Sequence, residues 1–114
     1  MLPNTDRAVV SNRELGEYLL SDSHPFGRHK AVFFRRFGFV IQEQKVLESA
    51  LIEHAAANAI SRIEETQFGT KYIIDGPLTS PDGRNPRIRA IWFIEKNEDN
   101  PRFVTAYPLG GGEE

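Results

Sequence analysis

Two hydrophobic periods divide the chain. Up to about residue 58 the apolar side chains recur at every third or fourth position, and beyond it they alternate. Ser11-Asn12-Arg13-Glu14 forms a capping box, with Ser11 as the cap and Glu14 reaching back. Leu15, Tyr18 and Leu19 follow at helical spacing, which predicts a helix over 12–20. Asp22-Ser23-His24-Pro25 ends that helix and opens the next, predicted over 27–37, with Gly38 placed as a left-handed C-terminal cap. A third helix is predicted over 43–58, its apolar stripe made by Val46, Leu47, Ala50, Leu51 and Ala55.

After Asn58 the alternation predicts strands over 60–65, 71–78, 87–95 and 102–107. Ser80-Pro81-Asp82-Gly83 is a turn in which Pro presets the second position and Gly accepts a positive φ. Asn97 to Asn100, followed by Pro101, is another. Short connections favour antiparallel neighbours. The expectation is an α+β fold, about three N-terminal helices packed on a C-terminal four-stranded antiparallel sheet. The uncovered sheet face is where a site would lie.

Composition narrows this picture. A chain of 114 residues holds one domain, expected over 1–108, with the glycine-rich stretch 109–114 as a flexible tail. Hydrophobic residues at 39% and charged residues at 26% exclude a disordered class. The absence of Cys excludes disulfides, thiolate zinc sites and cysteine nucleophiles. Lys and Arg number 14 against 16 Asp and Glu, for a net charge of −2. That balance disfavours a strongly basic, sequence-independent nucleic-acid binder and leaves room for a local basic face. The apolar runs are too short to span a membrane, and MLPNTDRAVV lacks a signal-peptide core, so the expected location is cytoplasmic with no membrane partner.

Lys30 is the most informative single residue. Phe26 lies four positions before it, and Phe33, Phe34 and Phe37 lie three, four and seven after it, so on a helix it shares the aromatic stripe. An ammonium there either snorkels to solvent or lines a site. His24, before Pro25 at a helix start, is either a capping residue or a neutral general acid/base beside an anion-receptive helix end. His54 lies on the stripe of Leu47, Ala50 and Leu51 and reads as a satisfied core histidine.

On the strand over 87–95, Ile88, Ala90, Trp92 and Ile94 share an apolar face, which should meet the helices. Arg87, Arg89, Ile91, Phe93 and Glu95 share the other. Phe103, Thr105 and Tyr107 are expected on one face of the next strand, and Lys71, Ile73 and Asp75 on one face of the preceding one. With the right register, Lys71, Arg89 and Thr105 form a row of donors suited to a phosphodiester. The alternative is a solvated strand face with ordinary cross-strand pairs. No phosphate loop, dinucleotide fingerprint, nucleophile elbow or zinc-protease motif is present. Three scattered His and no Cys give no metal site, and no cofactor is expected.

Three stretches together resemble an uncharacterised bacterial domain family: His24-Pro25-x-Gly27-x-x-Lys30-Ala31-x-Phe33-Phe34; Phe68-Gly69-Thr70-Lys71-Tyr72 running on to Gly76-Pro77-Leu78 and Pro81-Asp82-Gly83-Arg84; and Pro101 to Pro108. The layout is also remotely similar to ribonuclease toxins of the barnase, EndoU, colicin and RelE type. That resemblance implies metal-independent RNA cleavage by a bacterial toxin domain, with a small cognate antitoxin or immunity protein as partner. It implies His24 as acid or base, Lys30 and Arg89 as phosphate-charge stabilisers and Thr105 as a hydrogen-bond donor. Lys71, Arg87 and Tyr107 would contribute to substrate binding. The competing expectation is a non-catalytic module that uses the same face for a protein partner or a small anion.

Overall fold

The computed structural model describes residues 1–20 and 27–109, the side chains of 17–20 and 27–30 excepted. Helix α1 spans Asn12–Leu20, α2 spans Gly27–Arg36 and α3 spans Gln44–Ala57. Strands β1 (Ile60–Thr66), β2 (Gly69–Pro77), β3 (Arg87–Glu95) and β4 (Arg102–Pro108) follow. They form one antiparallel sheet in the order β1-β2-β3-β4, which makes the architecture α+β as the sequence predicts.

The local signals act as expected. Ser11 Oγ accepts the Glu14 N–H at 3.1 Å, the first half of the capping box. Gly38 ends α2 with φ +104°. A Cβ there would also sit 3.0 Å from Pro81 Cβ and 3.3 Å from the Asp82 nitrogen, because the end of α2 rests on the turn between β2 and β3. The Asp82 N–H donates to the Phe37 carbonyl across that contact. The turn is held from within: Ser80 Oγ donates to Asp82, and the Asn85 side chain accepts from the Ser80 N–H.

Leu15 of α1, Phe34 of α2 and Leu47 and Leu51 of α3 pack on Ile74, Ile88, Ala90, Trp92 and Ala106, so the helices cover one sheet face. Phe103 joins this core and meets Trp92 edge-on at 5.4 Å. This corrects its expected place beside Thr105 and Tyr107. The register slips between Ile91↔Thr105 and Trp92↔Phe103, and the extra residue in β4 turns Phe103 to the helix side. The N-terminal segment, which the periodicity left unassigned, adds to the outer edge of β4. Val9 donates to Pro101 and accepts from Phe103, while Leu2 and Val10 are buried.

His54 is buried on α3, and its Nε2–H donates to the Gly76 carbonyl at 3.1 Å, which fixes the neutral tautomer. Gly76 leaves room for this approach: a Cβ there would collide with the Asn58 side chain. Burial pushes the imidazole pKa down, while the Gly76 and Ile88 carbonyls and the Asp75 and Glu53 charges pull it up less strongly. The histidine is a core residue, as its apolar stripe suggests, but it is only half satisfied: its Nδ1 is buried without a hydrogen-bond partner among the described residues.

Two tests follow from these contacts. Gly38→Ala should destabilise the protein by more than about 1 kcal/mol in urea unfolding, because alanine is strained at positive φ and the turn blocks relaxation. The unfolded chain binds a proton at His54 more readily than the folded one. Stability should therefore fall as pH drops below 6.5, by at most about 1.4 kcal/mol per pH unit from this group. Urea midpoints between pH 8 and 5 measure this, and His54→Gln should flatten the profile.

Candidate functional site

The sheet face turned away from the helices carries the sequence-predicted donors. Strict alternation along β3 places Arg87, Arg89, Ile91 and Phe93 there, opposite the buried Ile88, Ala90 and Trp92. The register pairs Arg89 with Asp75 on one side and Tyr107 on the other. Thr105 faces Ile91, and Lys71 faces Phe93. The three expected donors thus share a face without forming one row. Arg89 and Thr105 occupy adjacent rungs, and Lys71 lies a further rung along, with Ile73 and Ile91 between it and Arg89.

Arg89 is the best-organised group on this face. Its Nε and Nη2 each donate to an oxygen of Asp75 at 2.8 Å. The Asp75 carboxylate, and after it the Tyr107 side chain, favour the charged guanidinium and push its pKa further up. The Arg89 hydrogen bonds hold the Asp75 carboxyl below its usual range, with a contribution from Ser61. The arginine side chain keeps 38% of its surface exposed, against 18% for the aspartate. A guanidinium held by Asp75 yet still 38% exposed is suited to an oxyanion or phosphate. Lys71 lies 3.5 Å from Glu64 on β1, and Arg102 pairs with Glu95 and sits over the Phe93 ring.

A second constellation lies at the end of the β3–β4 ladder. The α2 rings form a chain in which Phe34 contacts Phe33 edge-on at 5.2 Å and Phe33 contacts Phe37 at 5.1 Å. The Arg84 guanidinium stacks 4.5 Å from the Phe37 ring centre and also binds Asp82 and the Arg36 carbonyl. A cavity of about 300 Å3 opens here, bordered by Phe33, Phe37, Arg84, Arg87 and Pro108.

His24 lies outside the described residues. Lys30 lies within α2, one turn before Phe33 and Phe34, and its side chain is outside the description. Among the described residues no cluster of three or more His, Asp or Glu could hold a metal ion. Sequence reasoning did not give Asp75 its role as the partner of Arg89, because that pairing depends on strand register. It also gave no role to Arg84, although the turn motif contains it. The signal for Arg84 is the pairing of Gly38 with the Pro81-Asp82-Gly83 turn, two chain reversals that dock together.

Helices on one face of a four-stranded antiparallel meander define an α+β domain. The chain belongs to the family described as a domain of unknown function, DUF6883, whose profile matches residues 1–110. Its fold is similar to a chain of a contact-dependent growth inhibition toxin–immunity protein complex from Klebsiella pneumoniae 342. The TM-score is 0.71 at 19% identity, covering 89% of this chain and 99% of that one. No curated protein sequence matches the chain.

The two-sided bond between Asp75 and Arg89 should show in a double-mutant cycle with Asp75→Asn and Arg89→Lys. A measurable favourable coupling is expected in chemical unfolding. Additive single effects would show that the pair does not hold the guanidinium.

Proposed function

We propose that the chain is a toxin-like domain that cleaves RNA without a metal, with Arg89 as the centre of its phosphate site. The observation that carries this reading is the Arg89 guanidinium, held at a fixed angle by Asp75 and Tyr107 on the helix-free sheet face. The similarity in fold to a chain of a growth-inhibition toxin–immunity complex supports the toxin part. The layout of helices followed by a four-stranded antiparallel sheet, remotely similar to that of ribonuclease toxins, supports the chemistry.

In this reading the ribose 2′-oxygen attacks phosphorus as its proton passes to a base. The bond from phosphorus to the 5′-oxygen breaks, and an acid returns a proton to that oxygen. His24 is the acid or base. Arg89 and Lys30 stabilise the charge that grows on the phosphoryl oxygens, and Thr105 donates a further hydrogen bond. Lys71, Arg87 and Tyr107 bind the flanking strand. A fixed donor is worth most in such a step because it needs no reorganisation when the charge develops. The proposed partner is a small immunity or antitoxin protein that covers this face.

A second reading, a non-catalytic module binding a protein through the same face, is favoured by the carboxylates paired with Lys71 and Arg89, which lower the net charge of the surface. The two readings separate in one assay. Wild type should cleave RNA in EDTA and arrest growth when expressed. Arg89→Ala should lower the cleavage rate by about 100-fold or more, the usual scale for loss of one positioned charge donor. Lys30→Ala should also lose activity. No cleavage and no growth arrest by a folded wild type would leave the binding-module reading.

A further inference from the structure

We propose that the cavity at the end of the β3–β4 ladder is a nucleobase subsite, taking the base next to the phosphodiester held at Arg89, with Arg87 on the connecting phosphate. This inference rests on the ribonuclease reading for the identity of the strand. Its own support is a separate set of contacts. The first is the aromatic surface itself. Phe33 and Phe37 are half-buried, their rings meet at 5.1 Å, and the Arg84 guanidinium lies 4.5 Å from the Phe37 centre. Nucleobases stack on aromatic rings and on arginine planes, and they do so without regard to sequence.

These planes are already fixed. Arg84 Nε donates to Asp82 at 2.6 Å, and its Nη2 donates to the Arg36 carbonyl at 2.7 Å. The turn bearing Arg84 is closed by the Ser80–Asn85 and Ser80–Asp82 hydrogen bonds. A flat ring entering the cavity therefore needs little side-chain ordering, which is the usual entropic cost of a binding site. The volume, about 300 Å3, is at the small end for ligand pockets and suits one ring system.

The second observation is the charge of Arg87. Among the described residues, Arg62, Arg84, Arg89 and Arg102 each pair with a carboxylate: Glu64, Asp82, Asp75 and Glu95 respectively. The exposed Arg87 borders the cavity, and its charge is felt at Asp75, the carboxylate that Arg89 binds directly, so the two guanidinium groups share one counter-charge. It lies two residues from Arg89 on the same strand face, so the two backbone positions are about 7 Å apart. That spacing is comparable to the step between successive phosphates of an extended strand. A guanidinium bound to Asp75, a second one two residues along and an aromatic slot, in that order along the sheet, match phosphate, phosphate and base.

The test is a backbone-amide NMR titration of the wild-type protein with 5′-AMP, 5′-UMP, ribose 5-phosphate and inorganic phosphate. Both nucleotides should shift the amides of Phe37, Asn85 and Leu109. Ribose 5-phosphate and phosphate should move only the neighbourhood of Arg87 and Arg89. Phe37→Leu keeps an apolar side chain and removes the ring. It should raise the nucleotide Kd about ten-fold, the scale of one lost stack, and leave the phosphate Kd unchanged. Identical shift patterns for nucleotides and ribose 5-phosphate would overturn the proposal, with no variant needed. So would an unchanged nucleotide Kd in Phe37→Leu. The readout needs no turnover, so it separates from the cleavage assay: RNA cleavage with a silent cavity removes the subsite alone, whereas base-dependent shifts without cleavage remove the ribonuclease reading and keep the subsite.

Discussion

The two-sidedness of β3 is the constraint on which the rest depends. Ile88, Ala90 and Trp92 are buried under the helices, and Arg87, Arg89, Ile91 and Phe93 alternate with them on the other face. A slip of one residue would bury two guanidinium groups and expose the tryptophan. The core therefore fixes the register, and the register in turn sets Asp75 and Tyr107 on either side of Arg89. Packing on one face thus determines the chemistry available on the other.

The same coupling explains how the second constellation is built. The end of α2 is tied to the β2–β3 turn by Gly38, by the Asp82–Phe37 backbone bond and by Arg84 bridging to the Arg36 carbonyl. Phe34 anchors the aromatic chain in the core, while Phe33 and Phe37 carry it outward to Arg84. Two regions distant in sequence, α2 and the turn over 80–85, are thereby held as one surface beside the end of β3 and β4.

Much of the fold was legible in the chain because the two hydrophobic periods are clean. Asn12–Leu20 and Arg87–Glu95 match their expected bounds, and Gly38 takes the left-handed conformation its position suggests. What local pattern could not carry was anything that depends on pairing. The slip opposite Ile91 and Trp92 turned Phe103 inward, and no local residue announces it. The pairing of Val9 with Pro101 and Phe103 joins segments far apart in sequence, and a single short extended stretch gives no period to read. For the site, alternation placed Lys71, Arg89 and Thr105 on one face. Their separation onto different rungs, and the Asp75 bond that holds Arg89, came only from the register.

In the proposed function Arg89 is the group that meets a phosphodiester. The most direct measurement follows the Arg89 side-chain Nε–H signal by NMR while a short RNA, blocked at every 2′-oxygen by methylation, is added. A saturable shift of that signal is expected at the same RNA concentration that moves the Tyr107 and Thr105 amides. RNA that binds elsewhere while the Arg89 signal stays fixed, still locked to Asp75, would contradict it.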